Sequence, residues 1–160
     1  MFYSQKQINE SSWQSFERNV CRLLSYEGYE NVRLVGQSND HGADVIANRA
    51  GKRWLFQVKH WKKPVGLNVV TEVQNGLLAY NAQVPVIVAS NGFETCVKEH
   101  QQKMMARQIH LQLVDANKLI ERAAKLPTSQ PISVLRVLIK KKQLKKLWEL
   151  SMPPIPIKRS

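Results

Sequence analysis

Ala43-Asp44-Val45-Ile46-Ala47-Asn48 and Arg53-Trp54-Leu55-Phe56-Gln57-Val58-Lys59-His60-Trp61 are two apolar-rich stretches separated by Arg49-Ala50-Gly51-Lys52. Runs rich in β-branched and aromatic residues on either side of a glycine-containing break predict a β-hairpin. If the four intervening residues form the loop, Asn48 faces Arg53, and counting outward sets Asp44 opposite Gln57. Side chains alternate along a strand, so Gln57 and Lys59 share one face with Asp44, while Phe56 and Val58 take the other. A slip of one residue would scatter the three.

That grouping has a chemical use. Asp44 offers a hard anionic oxygen for Mg²⁺ and Gln57 a neutral oxygen ligand. Lys59 offers a charge that orients an attacking water or stabilises a pentacovalent phosphorane. A solvated strand face with an incidental ion pair presents the same residue types, so the grouping alone leaves both readings open.

Around the hairpin the pattern alternates. Upstream, Ser11 and Ser12 are candidate caps for a helix with Trp13, Phe16, Val20 and Leu23 or Leu24 at helical spacing and Gly28 as its stop. A short strand around Val32 and Leu34 follows. Downstream come a helix over about 68–81, the apolar run Val84-Pro85-Val86-Ile87-Val88-Ala89, a helix over about 94–107, a strand over 110–114, and a helix capped by Asp115. Helices between consecutive strands predict parallel crossovers in a mixed sheet flanked by helices on both faces, an α/β fold.

The 160 residues carry 24 Lys and Arg against 12 Asp and Glu, a formal net charge of +12. This excess points to a polyanionic partner, either nucleic acid or an anionic membrane surface. With 43% hydrophobic residues, a core is affordable and a disordered chain is excluded. No apolar run approaches the ~20 residues of a membrane span, and the first ten residues lack a signal-peptide pattern. A cytoplasmic protein with two reduced thiols, Cys21 and Cys96, is expected.

Eight of the basic residues and one acid fall in residues 127–160. Leu126-Pro127-Thr128-Ser129-Gln130-Pro131 breaks regular structure. The expected organisation is therefore a domain over 1–126, a linker over 127–132, and a basic amphipathic helix with a proline-rich tail over 133–160. In that helix Val134, Leu135, Leu138, Ile139, Leu144, Leu147, Trp148 and Leu150 form an apolar stripe, with Lys140, Lys141, Lys142, Lys145 and Lys146 beside it. Such a helix packs its stripe on a core, binds a partner or lies on a membrane, and packing is the commonest use. Pro153-Pro154-Ile155-Pro156-Ile157 resembles a linker, so the chain is expected to be the N-terminal part of a longer protein.

Phe16-Glu17, Gly28-Tyr29, Asn39-Asp40-His41-Gly42-Ala43-Asp44-Val45-Ile46-Ala47 and Gln57-Val58-Lys59 with Trp61 resemble the catalytic domain of Mrr-type restriction endonucleases, within the PD-(D/E)XK nuclease superfamily. The resemblance extends over roughly 13–120. It implies a restriction-endonuclease-like sheet, a DNA endonuclease active in restriction or defence against phage, and Mg²⁺ as cofactor with Mn²⁺ as a substitute. It makes Asp44 the metal-binding aspartate, Gln57 the residue replacing the usual acid, and Lys59 the catalytic lysine. Glu17 matches an acid that the first helix contributes to metal binding in related nucleases, although the helix macrodipole favours an acid there in any case.

Two departures stand in the turn. Ala43 occupies the position of the superfamily's Pro, and His41 a position where the family often has Gly. Gly42 keeps the turn's access to positive φ, and Asp40 reads as a turn former. With Gln57 in place of a carboxylate, Mg²⁺ is expected to bind weakly without DNA, as one ion rather than two. His60, Lys62 and Lys63 follow the strand as a basic rim for phosphate contacts, joined by Lys140, Lys141 and Lys145. A homodimer is expected for double-strand cleavage, and a recognition or motor domain in the same or another chain would choose the target. The alternatives are a structure-selective nuclease or junction resolvase, a catalytically silent DNA-binding module, and a peripheral membrane protein held by the basic helix.

Overall fold

The hairpin forms in the expected register. The structure, a computed structural model, describes residues 2, 4–36 and 42–127. Strand β2 (Val45–Arg49) pairs antiparallel with β3 (Lys52–Lys59), with Asn48 opposite Arg53 and Val45 opposite Phe56. The loop is shorter than the four residues expected: Arg49 and Lys52 also pair, leaving only Ala50 (φ 51°) and Gly51 (φ 72°) at the tip. Two successive positive φ values match the twist of the flanking strands, and the shortening leaves the register unchanged.

Strand β1 (Glu30–Leu34) joins the far side of β2, antiparallel, with an irregularity between Glu30 and Arg33. On the other side, β4 (Val84–Ala89) and β5 (Gln112–Asp115) continue the sheet in parallel, giving the order β1-β2-β3-β4-β5. In β4 every residue from Pro85 to Ala89 is buried, as a strand covered on both faces requires.

Helices cover both faces. Helix α2 (Trp13–Tyr26) starts at Ser12, whose side chain accepts the Ser15 N–H, and ends before Gly28. Its Phe16, Val20, Leu23 and Leu24 pack on Val45, Ala47, Phe56 and Val58. Helix α5 (Ala116–Ala124), capped by Asp115, joins the same layer through Leu119. On the opposite face lie α3 (Leu67–Ala79) and α4 (Thr95–Ala106), the two crossovers, over Ile46, Leu55, Ile87 and Leu113. Successive crossovers in one direction across a sheet fall on one face.

A helix not anticipated from sequence, α1 (Gln5–Glu10), precedes α2. Only Ile8 is buried in it, and Ser4 caps it by accepting the Gln7 N–H. Six residues do not hold a helix alone. Burial of Ile8, worth roughly 1.5–3 kcal/mol, and packing of Phe2 against Phe16 hold it to the domain.

These elements make a compact unit ending at Leu126. The basic helix proposed for 133–150, with Lys140, Lys141 and Lys145, lies outside the described residues, as do Asp40 and His41.

Candidate active site

Asp44 sits where β2 begins, held on both sides by main chain. Its N–H donates to the Phe56 carbonyl and its own carbonyl accepts from Val35 N–H, each at 2.9 Å. Its carboxylate Oδ2 accepts the Val58 N–H at 2.6 Å. That charge-assisted bond fixes the carboxylate against the strand segment carrying Gln57 and Lys59.

The turn before Asp44 depends on Gly42. Its φ is +71°, and a Cβ there would fall 1.7 Å from the Glu72 carbonyl oxygen on α3. Glycine is required twice over, by conformation and by the contact with a helix backbone that cannot retreat.

Gln57 lies opposite Asp44 in the continued register and is 5% exposed. Its Oε1 is buried and has no hydrogen-bond partner among the described residues. A buried acceptor left unpaired costs about 1–3 kcal/mol, so this oxygen calls for a partner.

Lys59, on the same face, is largely buried. Its Nζ lies 2.9 Å from Glu72 Oε2 and 5.3 Å from the centre of the Trp61 ring. Glu72 has no local sequence signal of its own, because only the packing of α3 beside β3 brings it to the lysine.

Glu17 projects from the second turn of α2, half-buried. Its carboxyl is held above the usual range, first by burial and then by the negative charge of Asp44, with Lys59 partly offsetting both. Glu17 therefore lies within electrostatic reach of both groups. A cavity of about 350 Å³ opens beside it, lined by Trp13, Glu17, Arg18, Leu34, Gly36 and Asp44. A larger one, about 660 Å³, lies around Tyr29, Arg49, Trp54 and Arg122 and touches none of the four candidate site residues.

The remaining rim residues separate. Lys62 and Lys63 are exposed on the segment leaving β3. His60 turns to the other face: its Nε2 donates to the Ile8 carbonyl at 2.8 Å and its ring meets Phe16 edge-on at 5.0 Å. His60 shares parity with Phe56 and Val58, and that alternation was the available signal. The strand end is pinned by Ser90 Oγ, which donates to the Trp61 carbonyl at 3.0 Å, and by Asn91 Nδ2, which donates to the same oxygen.

The donor set suits a hard divalent cation. Asp44, Glu17 and Gln57 all present oxygen, the ligand type Mg²⁺ takes, and the unpartnered Gln57 oxygen is what such an ion would satisfy. Among the described residues no group of three or more His, Cys, Asp or Glu is placed to hold a metal.

The model of the Mrr catalytic domain, described as a restriction endonuclease, matches residues 8–123, most of the chain, and the protein belongs to this family. Among solved structures, a protein of unknown function, AF1548, is similar with a TM-score of 0.52 and 18% identity, over 78% of this chain and 77% of that one. The MspJI restriction endonuclease in complex with a 27-mer oligonucleotide matches with a TM-score of 0.46 and 17% identity, over 68% of this chain and 27% of its own. No curated protein matches. The fold is the mixed, helix-flanked sheet of restriction endonucleases. No helix among the described residues is long and apolar enough to cross a membrane.

Proposed function

We propose that this domain hydrolyses DNA phosphodiester bonds with Mg²⁺, in restriction or defence against foreign DNA in the cytoplasm. The observation that carries the reading is the buried, unpartnered Gln57 oxygen in register with Asp44. A structural amide at that depth would be hydrogen-bonded, whereas a ligand awaiting an ion is not.

Asp44 and Gln57, with Glu17 from α2, would hold the ion. When bound, Mg²⁺ would supply positive charge to a phosphate oxygen and acidify a water. Asp44 keeps its carboxylate aimed through the bond from Val58 N–H, so a cation would meet a preset oxygen. The Lys59 ammonium stands on the same face of β3, where it orients the attacking water or stabilises the charge that develops on phosphorus oxygens. Glu17 brings negative charge that is costly in the free protein and is compensated by a cation. Lys62 and Lys63 contact flanking phosphates, which adds affinity without reading sequence.

With an amide in place of one strand carboxylate, the site carries one fewer negative charge, so metal binding would be weak until DNA is present. The test is cleavage of a labelled duplex in Mg²⁺. Asp44→Ala is expected to lower the rate at least a hundredfold, on the order of losing one electrostatic group of the site, with the melting transition retained. Wild-type rates in a folded Asp44→Ala variant would contradict the assignment.

A further inference from the structure

We propose that Glu72 is the positioning residue for Lys59, holding its ammonium in one geometry with DNA docked as well as without it, and so keeping it off the backbone phosphates. The docking part of this inference rests on the nuclease reading above. The two partners differ in exposure: the Lys59 side chain is 16% exposed and that of Glu72 40%. A largely buried ammonium without a counter-ion is strongly disfavoured, so the pair persists. A phosphate oxygen is the same kind of acceptor as a carboxylate oxygen, so an ammonium that has lost Glu72 is drawn to a backbone phosphate instead.

Two further contacts fix the place of the pair. The Trp61 ring flanks the ammonium at 5.3 Å and limits where it moves. The backbone of Glu72 is also the surface on which Gly42 rests, with room for no Cβ. One turn of α3 thus braces the approach to Asp44 with its carbonyl and holds Lys59 with its side chain. Glu72 thus touches both the turn before Asp44 and the ammonium of Lys59.

The inference predicts opposite effects on binding and on catalysis. Without Glu72 the ammonium is available to any phosphate, so DNA binds more tightly. It is also no longer held in one geometry, so the chemical step slows. A structural ion pair, by contrast, would weaken both along with stability.

Fluorescence anisotropy on a short duplex in EDTA, across a salt series, reads the state of Lys59 without cleavage. Glu72→Gln is expected to bind several-fold tighter and to steepen the slope of log K against log salt by about 0.9, one added phosphate contact. The added slope is expected to vanish in Glu72→Gln/Lys59→Met. An unchanged slope in a Glu72→Gln variant that melts like wild type would overturn the proposal. In Mg²⁺ at saturating DNA, Glu72→Gln is expected to cleave roughly 10- to 100-fold more slowly, with partial recovery in Glu72→Asp. An unaltered rate would also overturn it. A wild type that binds DNA but cleaves none would remove the nuclease reading alone, and the slope in EDTA would then decide the role of Glu72.

Discussion

Glu17 is the residue whose role was open in the sequence and is narrowed by its surroundings. A Glu at the start of a helix is explained by the macrodipole, but burial and the Asp44 charge raise the pKa of this one. Between the ordinary carboxyl value, about 4.3, and the raised one, the native state binds a proton that the unfolded chain has lost. Stability therefore falls as pH rises through that window, and the full penalty stands above it. Glu17→Gln is expected to melt higher than wild type at neutral pH, with the gap closing toward pH ~4. Equal melting temperatures at neutral pH would show that the carboxylate carries no such burden. Cys21, packed near Glu17 on the same helix, has its thiol pushed up to about 11, chiefly by burial, and is unfit as a nucleophile. Glu72 had no signal in the sequence at all: it lies thirteen positions after Lys59, on the next helix, and only tertiary packing joins them.

At the scale of elements, the hairpin was legible because two independent constraints agree. The period-two pattern fixed which residues share a face, and the glycine turn fixed where the strands fold back. The loop length was misjudged because Arg49 and Lys52 lack strand-like character and pair only through the main chain. Ala50 at φ 51° bears the strain of this tight turn, since a Cβ in the left-handed region costs about 1–2 kcal/mol where Asn tolerates it better. Ala50→Asn is expected to raise stability by up to about 1 kcal/mol, read as a higher urea midpoint with unchanged slope. An unmoved midpoint would contradict the turn geometry. Helix α1 escaped notice because it offers only Ile8 to the core. Its one readable signal was the capping spacing Ser4-x-x-Gln7. His60 was read by its place after the catalytic strand, whereas strand parity sends it to the helix-covered face.

For the whole molecule, the alternation of helices and strands after the hairpin was enough to give the sheet its parallel half and its two helical layers. An apolar run such as Val84 to Ala89 has few other places to go. What the alternation could not supply was the placement of α2 and α3, on opposite faces, near the end of the sheet that carries Asp44 and Lys59. From there one brings Glu17 toward these groups and the other Glu72. The net charge of +12 agrees with a polyanionic partner. The central claim is that Asp44, Gln57 and Lys59 form one hydrolytic site that works through Mg²⁺. The most direct measurement incubates supercoiled plasmid with wild-type protein and with Lys59→Ala, each in Mg²⁺ and in EDTA. The account predicts nicking or linearisation by the wild type in Mg²⁺ only, and none by the variant. Equal cleavage by both proteins, or cleavage that persists in EDTA, would contradict it.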